Sequence, residues 1–193
     1  VGALQLQLGW GESGLVTGLL LAPIGVVEVI VANRAVAIAR RWGVQNTVTM
    51  GLCLMAAGYV GMGLAPAGDR SWFVAAGVVA GLGNGLTIPL SVDRIMGSVE
   101  PEFAGSAAGV NDMAIELGAS AGIGLLGTVQ AVWFEARRPS DSTSPLADIV
   151  DELDRAAFRS ASAAAFVVAA GVAALAIPVA RLKRTRAVAE FRS

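Results

Sequence analysis

Five long apolar runs dominate this sequence, and each approaches the length that a helix needs to cross a lipid bilayer. We predict membrane spans at about 14–33, 47–65, 72–96, 105–134 and 161–180. A spanning helix needs about 20 mainly apolar residues at a rise of 1.5 Å each. Only 15% of the residues are charged, against about 25% in an ordinary soluble domain. The sequence therefore predicts an all-α membrane protein with five transmembrane helices.

The two ends of the chain add to this prediction. Residues 1–9 are typical of the last turns of a helix, so we expect an N-terminal helix stub before the first span. The chain starts with Val1 and shows no basic region or cleavage site of a signal peptide. We therefore expect residues 1–193 to be a partial transmembrane domain, either a fragment or a chain cut at a domain boundary; the resemblance described below implies the C-terminal part.

The segments between the spans predict the orientation. The loop expected at 34–46 is basic, and so is the tail at 181–193. The positive-inside rule places both in the cytoplasm. The loop at 135–160 is then extracytoplasmic, and the spacing of its apolar residues predicts an amphipathic surface helix over 146–154. The predicted location is a multi-pass protein of the cell membrane with a cytoplasmic C-terminus.

The run at 105–134 carries two carboxylates, Asp112 and Glu116. A charged group near the bilayer centre costs roughly 2.5–3.5 kcal/mol, and residues four apart lie on one face of a helix. We expect both side chains to face a bundle interior or a water-filled path, where paired carboxylates can hold a proton between them. In the alternative, Asp112 is solvated near the cytoplasmic end and stabilised by the helix dipole.

Four other sites in the spans carry polar or charged residues. Glu28 is a third carboxylate, and it either joins the same path or snorkels toward the cytoplasmic arginines. Asp93 and Arg94 close the third span as a gating or structural ion pair. Asn84 and Asn111 are candidates for the same gating or structural roles, with hydrogen bonding between helices as the simplest interpretation.

Small residues repeat at helical spacing in two of the spans. Gly77, Gly81 and Gly85 recur every four residues in the third span, and the 105–134 run has similar stripes. Small residues allow two helices to approach closely. We therefore expect the third span and the 105–134 span to pack against each other.

Several classes of function are disfavoured by what the sequence lacks. It has no His and only one Cys, so histidine chemistry and internal disulfides are excluded. It has no phosphate-binding G-x-x-x-x-G-K-[ST] motif, which argues against an ATP-driven pump. The net charge of −1 gives no argument for a nucleic-acid partner. The sequence therefore predicts no enzyme activity and no cofactor or metal site.

A resemblance to a known family follows from the residues Pro89 to Thr128, PLSVDRIMGSVEPEFAGSAAGVNDMAIELGASAGIGLLGT. This stretch resembles the twelfth and thirteenth spans of the fourteen-span drug:proton antiporters of the major facilitator superfamily. Leu4 to Pro23 is similar to the end of their ninth span and to their tenth. The resemblance implies a C-terminal half of that fold, an N-terminal half as its missing partner, and proton-coupled efflux of lipophilic or cationic drugs.

The resemblance also implies roles for the acids. Asp112 and Glu116 match the membrane acids of the thirteenth span, which implies proton coupling or attraction of cationic drugs, and Glu28 adds a third acid to that path. Residues 113–115 depart from the pattern, because relatives often have hydroxyl residues and an arginine there. Two alternatives stay open: an exporter of another small solute or metabolite, and a small membrane protein without transport activity alone.

Overall fold

A computed structural model describes residues 2–66, 69–136 and 152–190, with side chains described from 155 to 178 in the last range. Residues 137–151, which include most of the predicted amphipathic helix, lie outside the described residues, whereas 152–160, predicted as loop, belong to the last helix. The elements, in chain order, are α1 (Gly2–Leu4), which continues as a π-helical segment over Gln5–Gly9, then α2 (Gly14–Trp42), α3 (Val44–Gly63), α4 (Arg70–Met96), a 3-10 turn (Pro101–Phe103), α5 (Ala104–Glu135) and α6 (Glu152–Glu190).

Helix α2 begins at a side-chain cap and runs through the segment predicted as a basic loop. The hydroxyl of Ser13 accepts a hydrogen bond from the backbone N–H of Val16 at 3.3 Å. The prediction of a loop at 34–46 is wrong, because the helix ends only at Trp42. Arginine and alanine favour helix, and positive charges in a last turn stabilise its C-terminal dipole. Gly43, at φ 83°, supplies the whole connection to α3.

Helix α4 is the centre of the bundle, packed on one side by α2 and on the other by α3. Its first turn is capped by Asp69, whose carboxylate accepts from the backbone N–H of Trp72 at 2.9 Å. Its glycine stripe faces α2: a Cβ on Gly81 would lie 3.1 Å from the carbonyl oxygen of Ile24. A Cβ on Gly83 would meet α3 instead, against the carbonyl oxygen of Gly51.

The prediction that α4 and α5 pack through their glycine stripes is therefore wrong. The described glycines of α5, among them Gly109 and Gly118, have open space where a Cβ would stand. A four-residue spacing of glycines shows that a helix can be approached closely, but it does not identify the partner. Helix α5 packs mainly on α6, where the Gln130 amide donates to the Ser162 hydroxyl at 2.7 Å.

An aromatic cluster fixes the end of the bundle near α1. Phe73 of α4 is fully buried, and its ring meets Trp10 and Phe166 edge-on at centroid distances of 5.2 and 5.7 Å. Trp10 lies in the turn that follows α1, and its indole packs into this cluster. An ion pair between Glu12 and Arg70 closes the same end of the bundle. The cluster ties α1, α4 and α6 together.

Four described helices are long and apolar enough to cross a membrane: Gly14–Trp42, Arg70–Met96, Pro101–Glu135 and Arg155–Pro178. Helix α3 is not among these four, because its first turn is polar, although it packs between α4 and α6. Each of these helices has a most apolar stretch of 18 residues. In α4, 44% of that stretch is buried, against only 6% in α2 and 11% in α5. The predicted all-α membrane fold is confirmed, and α2 and α5 present wide uncovered faces.

Candidate functional site

The side chains of Glu28 and Asn84 form the polar centre of the bundle. The Asn84 amide, on α4, donates a hydrogen bond to the Glu28 carboxylate, on α2, at 2.5 Å. The two residues are 56 positions apart in sequence and both are half-buried. The glycine stripe explains how the helices come this close: a Cβ on Gly85 would lie 2.6 Å from the Glu28 carbonyl oxygen.

This pair lines a cavity of about 150 Å³ between α2, α3 and α4. The walls are otherwise small or apolar, and the lining residues are Ile24, Glu28, Tyr59, Met62, Gly77, Ala80, Gly81 and Asn84. A dry cavity of roughly this volume accepts a group the size of benzene. The site therefore has room for part of an organic molecule, or for several water molecules, beside an acid.

The electrostatic setting of Glu28 is unusual for a carboxylate in a span. Among the described residues no arginine or lysine forms an ion pair with it, and its polar partner is the neutral amide of Asn84. A carboxylate without a counter-charge in a low-dielectric region is costly. Such a group can be neutralised by a proton or by a cationic molecule, and either ligand would fit the same position. Bonding to Asn84, rather than to the cytoplasmic arginines, does not support the snorkelling alternative.

Asp112 and Glu116 lie on α5 and are both exposed within this chain. They share one face of the helix, as predicted, but the described residues place no hydrogen-bond or ion-pair partner beside either of them. The structure does not bring them together with Glu28, which lies between α2 and α4. Their role in a path shared with other parts of a transporter stays a prediction.

The remaining predicted residues lie near the end of the bundle where α4 ends and α5 begins. The guanidinium of Arg94 donates to the side-chain oxygen of Gln45 on α3 at 3.4 Å. No ion pair joins it to Asp93 in the described part of the chain. Asn111 is 8% exposed and is the buried residue in the N-terminal half of α5. A gating role for any of these residues stays a prediction.

Two polar features of the structure were not predicted from the sequence. Tyr59 lies in an otherwise apolar stretch of α3, and only the packing of α3 against α4 places it at the cavity with Glu28. Gln130 and Ser162 form a buried hydrogen bond that joins α5 to α6. A polar residue inside an apolar run is the available signal in each case. Among the described residues, no group of acids or cysteine could hold a metal ion.

The sequence of this chain is similar to a known protein family and to several curated proteins. Residues 1–123 match the sequence profile of the Major Facilitator Superfamily. The multidrug efflux pump LfrA of Mycolicibacterium smegmatis is 34% identical over 133 residues, which cover 68% of this chain and 26% of the relative. No solved structure matches the chain.

Two further relatives are named after two different compounds. The probable actinorhodin transporter of Streptomyces coelicolor is 34% identical over 133 residues, covering 66% of this chain and 23% of the relative. The methyl viologen resistance protein SmvA of Salmonella typhimurium is 29% identical over 136 residues, covering 69% and 27%. The chain thus spans about a quarter of the length of these relatives.

Proposed function

Because this chain belongs to the Major Facilitator Superfamily, we propose that it forms the C-terminal part of a proton-coupled efflux transporter. The proposed substrates are lipophilic or cationic compounds, which leave the cell unchanged, so the activity is transport and not catalysis. The relatives named as a multidrug efflux pump and a methyl viologen resistance protein support this substrate class. Further spans, in an N-terminal half, would complete the fourteen-span arrangement of the drug:proton antiporters.

One observation carries the proposal: a carboxylate that forms no ion pair with any described residue lines a cavity between three helices. In an antiporter, a proton and a substrate exclude each other from one site. Glu28 suits this exchange, because its carboxylate can be neutralised either by a proton or by a bound cation. Asn84 donates a hydrogen bond to the Glu28 carboxylate, and both side chains line the cavity.

In this proposal the site also includes the two exposed acids of α5. Asp112 and Glu116 lie on the uncovered side of α5, where carboxylates would be costly if they faced lipid. They fit a water-filled path between this chain and the N-terminal half. Transporters of this architecture bind substrate near the bilayer midplane and alternate access by rocking one half against the other.

The proposed location is the cell membrane with the basic helix ends in the cytoplasm. Arg34, Arg40 and Arg41 lie in the last turns of α2. With α3 counted as a span, as the sequence predicts, successive helices cross the bilayer in alternating directions, so the C-terminal ends of α2, α4 and α6 lie on one side. The positive-inside rule assigns that side to the cytoplasm, which also places the C-terminus there.

A second candidate is export of another small solute rather than of drugs in general. The similarity to the probable actinorhodin transporter favours this alternative. A cavity of about 150 Å³ lined mainly by small and apolar residues does not distinguish the two. The acids do not distinguish them either, but transport measured over a panel of cationic, neutral and anionic compounds would.

The proposal is tested with the full-length gene product in everted membrane vesicles. We expect an imposed pH gradient to drive movement of ethidium in the wild type, and Glu28→Gln to reduce this movement to background at equal protein level. The matched control is Gln130→Leu, which removes a buried amide from α5 far along the chain from the cavity. If Glu28→Gln transports at the wild-type rate, Glu28 is not the exchange site.

A further inference from the structure

The arginines at the end of α2 lie on a rigid helix and not in a loop. Helix α2 has 29 residues, which correspond to about 43 Å at 1.5 Å each. The hydrocarbon core of a bilayer is about 30 Å thick, and the apolar residues 14–33 are sufficient to cross it. The last turns, from Arg34 to Trp42, therefore extend into the headgroup layer.

Two of these arginines share a groove and the third does not. Arg34 and Arg41 are seven residues apart, nearly two full helical turns, so they lie on one face about 10.5 Å apart along the axis. Arg40 lies on another face. A groove of about 410 Å³ is lined by Ile30, Val31, Arg34, Ala37, Ile38 and Arg41. The groove therefore combines two cations with an apolar floor that continues toward the membrane core.

Neither groove arginine is neutralised within the described part of the chain. Arg34 and Arg41 are exposed, and no hydrogen bond or ion pair joins them to another described residue. On their own helix, Arg40 has the same sign, and the Glu28 carboxylate accepts a hydrogen bond from Asn84 instead. Asp93 lies at the end of α4, the helix that packs on α2 and α3. It forms no ion pair with either arginine.

We propose that this groove binds an anionic phospholipid, with the phosphate between Arg34 and Arg41 and an acyl chain along the apolar floor. Guanidinium groups bind phosphate through paired hydrogen bonds, which a single point charge cannot form. Basic pockets at the cytoplasmic ends of membrane helices are suited to anionic headgroups. The depth of the arginines, their shared face and the adjoining apolar floor together favour a lipid over a soluble anion.

The test uses the purified full-length gene product in a neutral detergent, with thermal unfolding as the readout. Dioleoylphosphatidylglycerol should raise the melting temperature in a saturable way, and dioleoylphosphatidylcholine and inorganic phosphate should not. Each arginine near a membrane surface is worth about fivefold in affinity for anionic lipid. The half-saturating lipid concentration should therefore rise about 30-fold in Arg34→Gln/Arg41→Gln and stay within about twofold in Arg40→Gln.

If Arg34→Gln/Arg41→Gln does not fold, a variant that fills the groove still tests the proposal. Ala37→Trp retains both arginines but occupies the floor, so it should abolish the stabilisation by phosphatidylglycerol. Equal stabilisation by phosphatidylcholine or by inorganic phosphate would overturn the proposal, as would an equal loss in Arg40→Gln. The absence of any lipid effect on the wild type would also overturn it, and would indicate that another part of the transporter covers the groove.

Discussion

The close approach of α2 and α4 makes a sharp prediction about Gly85. A Cβ at this position would lie 2.6 Å from the carbonyl oxygen of Glu28, whereas ordinary contacts begin at 3.4 Å. The obstacle is backbone and not the end of a flexible side chain. In Gly85→Ala the two helices must therefore separate locally by about 0.8 Å, which is the difference between these distances.

This separation has a cost in stability and a consequence at the site. Overpacking a closely packed interface costs about 1–3 kcal/mol, offset in part by the better helix propensity of alanine, at most about 1 kcal/mol. We expect a net loss of about 1–2 kcal/mol. The same shift would stretch the 2.5 Å hydrogen bond from Asn84 to Glu28 toward the limit of hydrogen bonding, so cation transport should fall as well.

The assay is reversible unfolding of the full-length gene product in mixed micelles, with Gly118→Ala as the matched control. Gly118 lies on α5 with open space around its Cα, so alanine there should leave stability unchanged or raise it slightly. Equal stability of Gly85→Ala and Gly118→Ala would contradict the α2–α4 packing described above. A loss in both variants would show that the effect is not specific to this interface.

Two further predictions concern the acids. Glu28→Ala should raise the KM for cationic substrates about 10- to 100-fold, because a charge-assisted contact is worth about 1.5–3 kcal/mol; an equal loss for neutral substrates, measured on the same vesicles, would contradict a charge-specific role. Glu116→Gln should insert normally and lose dye efflux that depends on the pH gradient; efflux at the wild-type level would remove Glu116 from the coupling mechanism.

The helices and the membrane class could be predicted from sequence because they depend on local composition. Long apolar runs can cross a bilayer only as helices when backbone groups must be satisfied internally. The end of α2 was harder to predict. Arginines after an apolar run are typical of a loop, yet they also favour a helix C-terminus, and only Gly43 with its positive φ ends the helix.

The partners of each helix could not be predicted from the same patterns. The stripe containing Gly81 and Gly85 indicated close packing, but its partner is α2 and not α5. The pairing of Glu28 with Asn84 joins residues 56 positions apart, and no local pattern encodes such a distance. Asp112 was correctly placed on the same face as Glu116, but the same pattern did not predict that both side chains are exposed within this chain.

The central claim is that a carboxylate held between α2 and α4 exchanges a proton for a substrate. Its most direct test is proton flux in liposomes that contain the full-length gene product and a pH-sensitive dye. We expect an ethidium gradient to drive protons in the opposite direction in the wild type, and this flux to disappear in Glu28→Gln. Ethidium movement without proton flux, or an unchanged flux in Glu28→Gln, would contradict the claim.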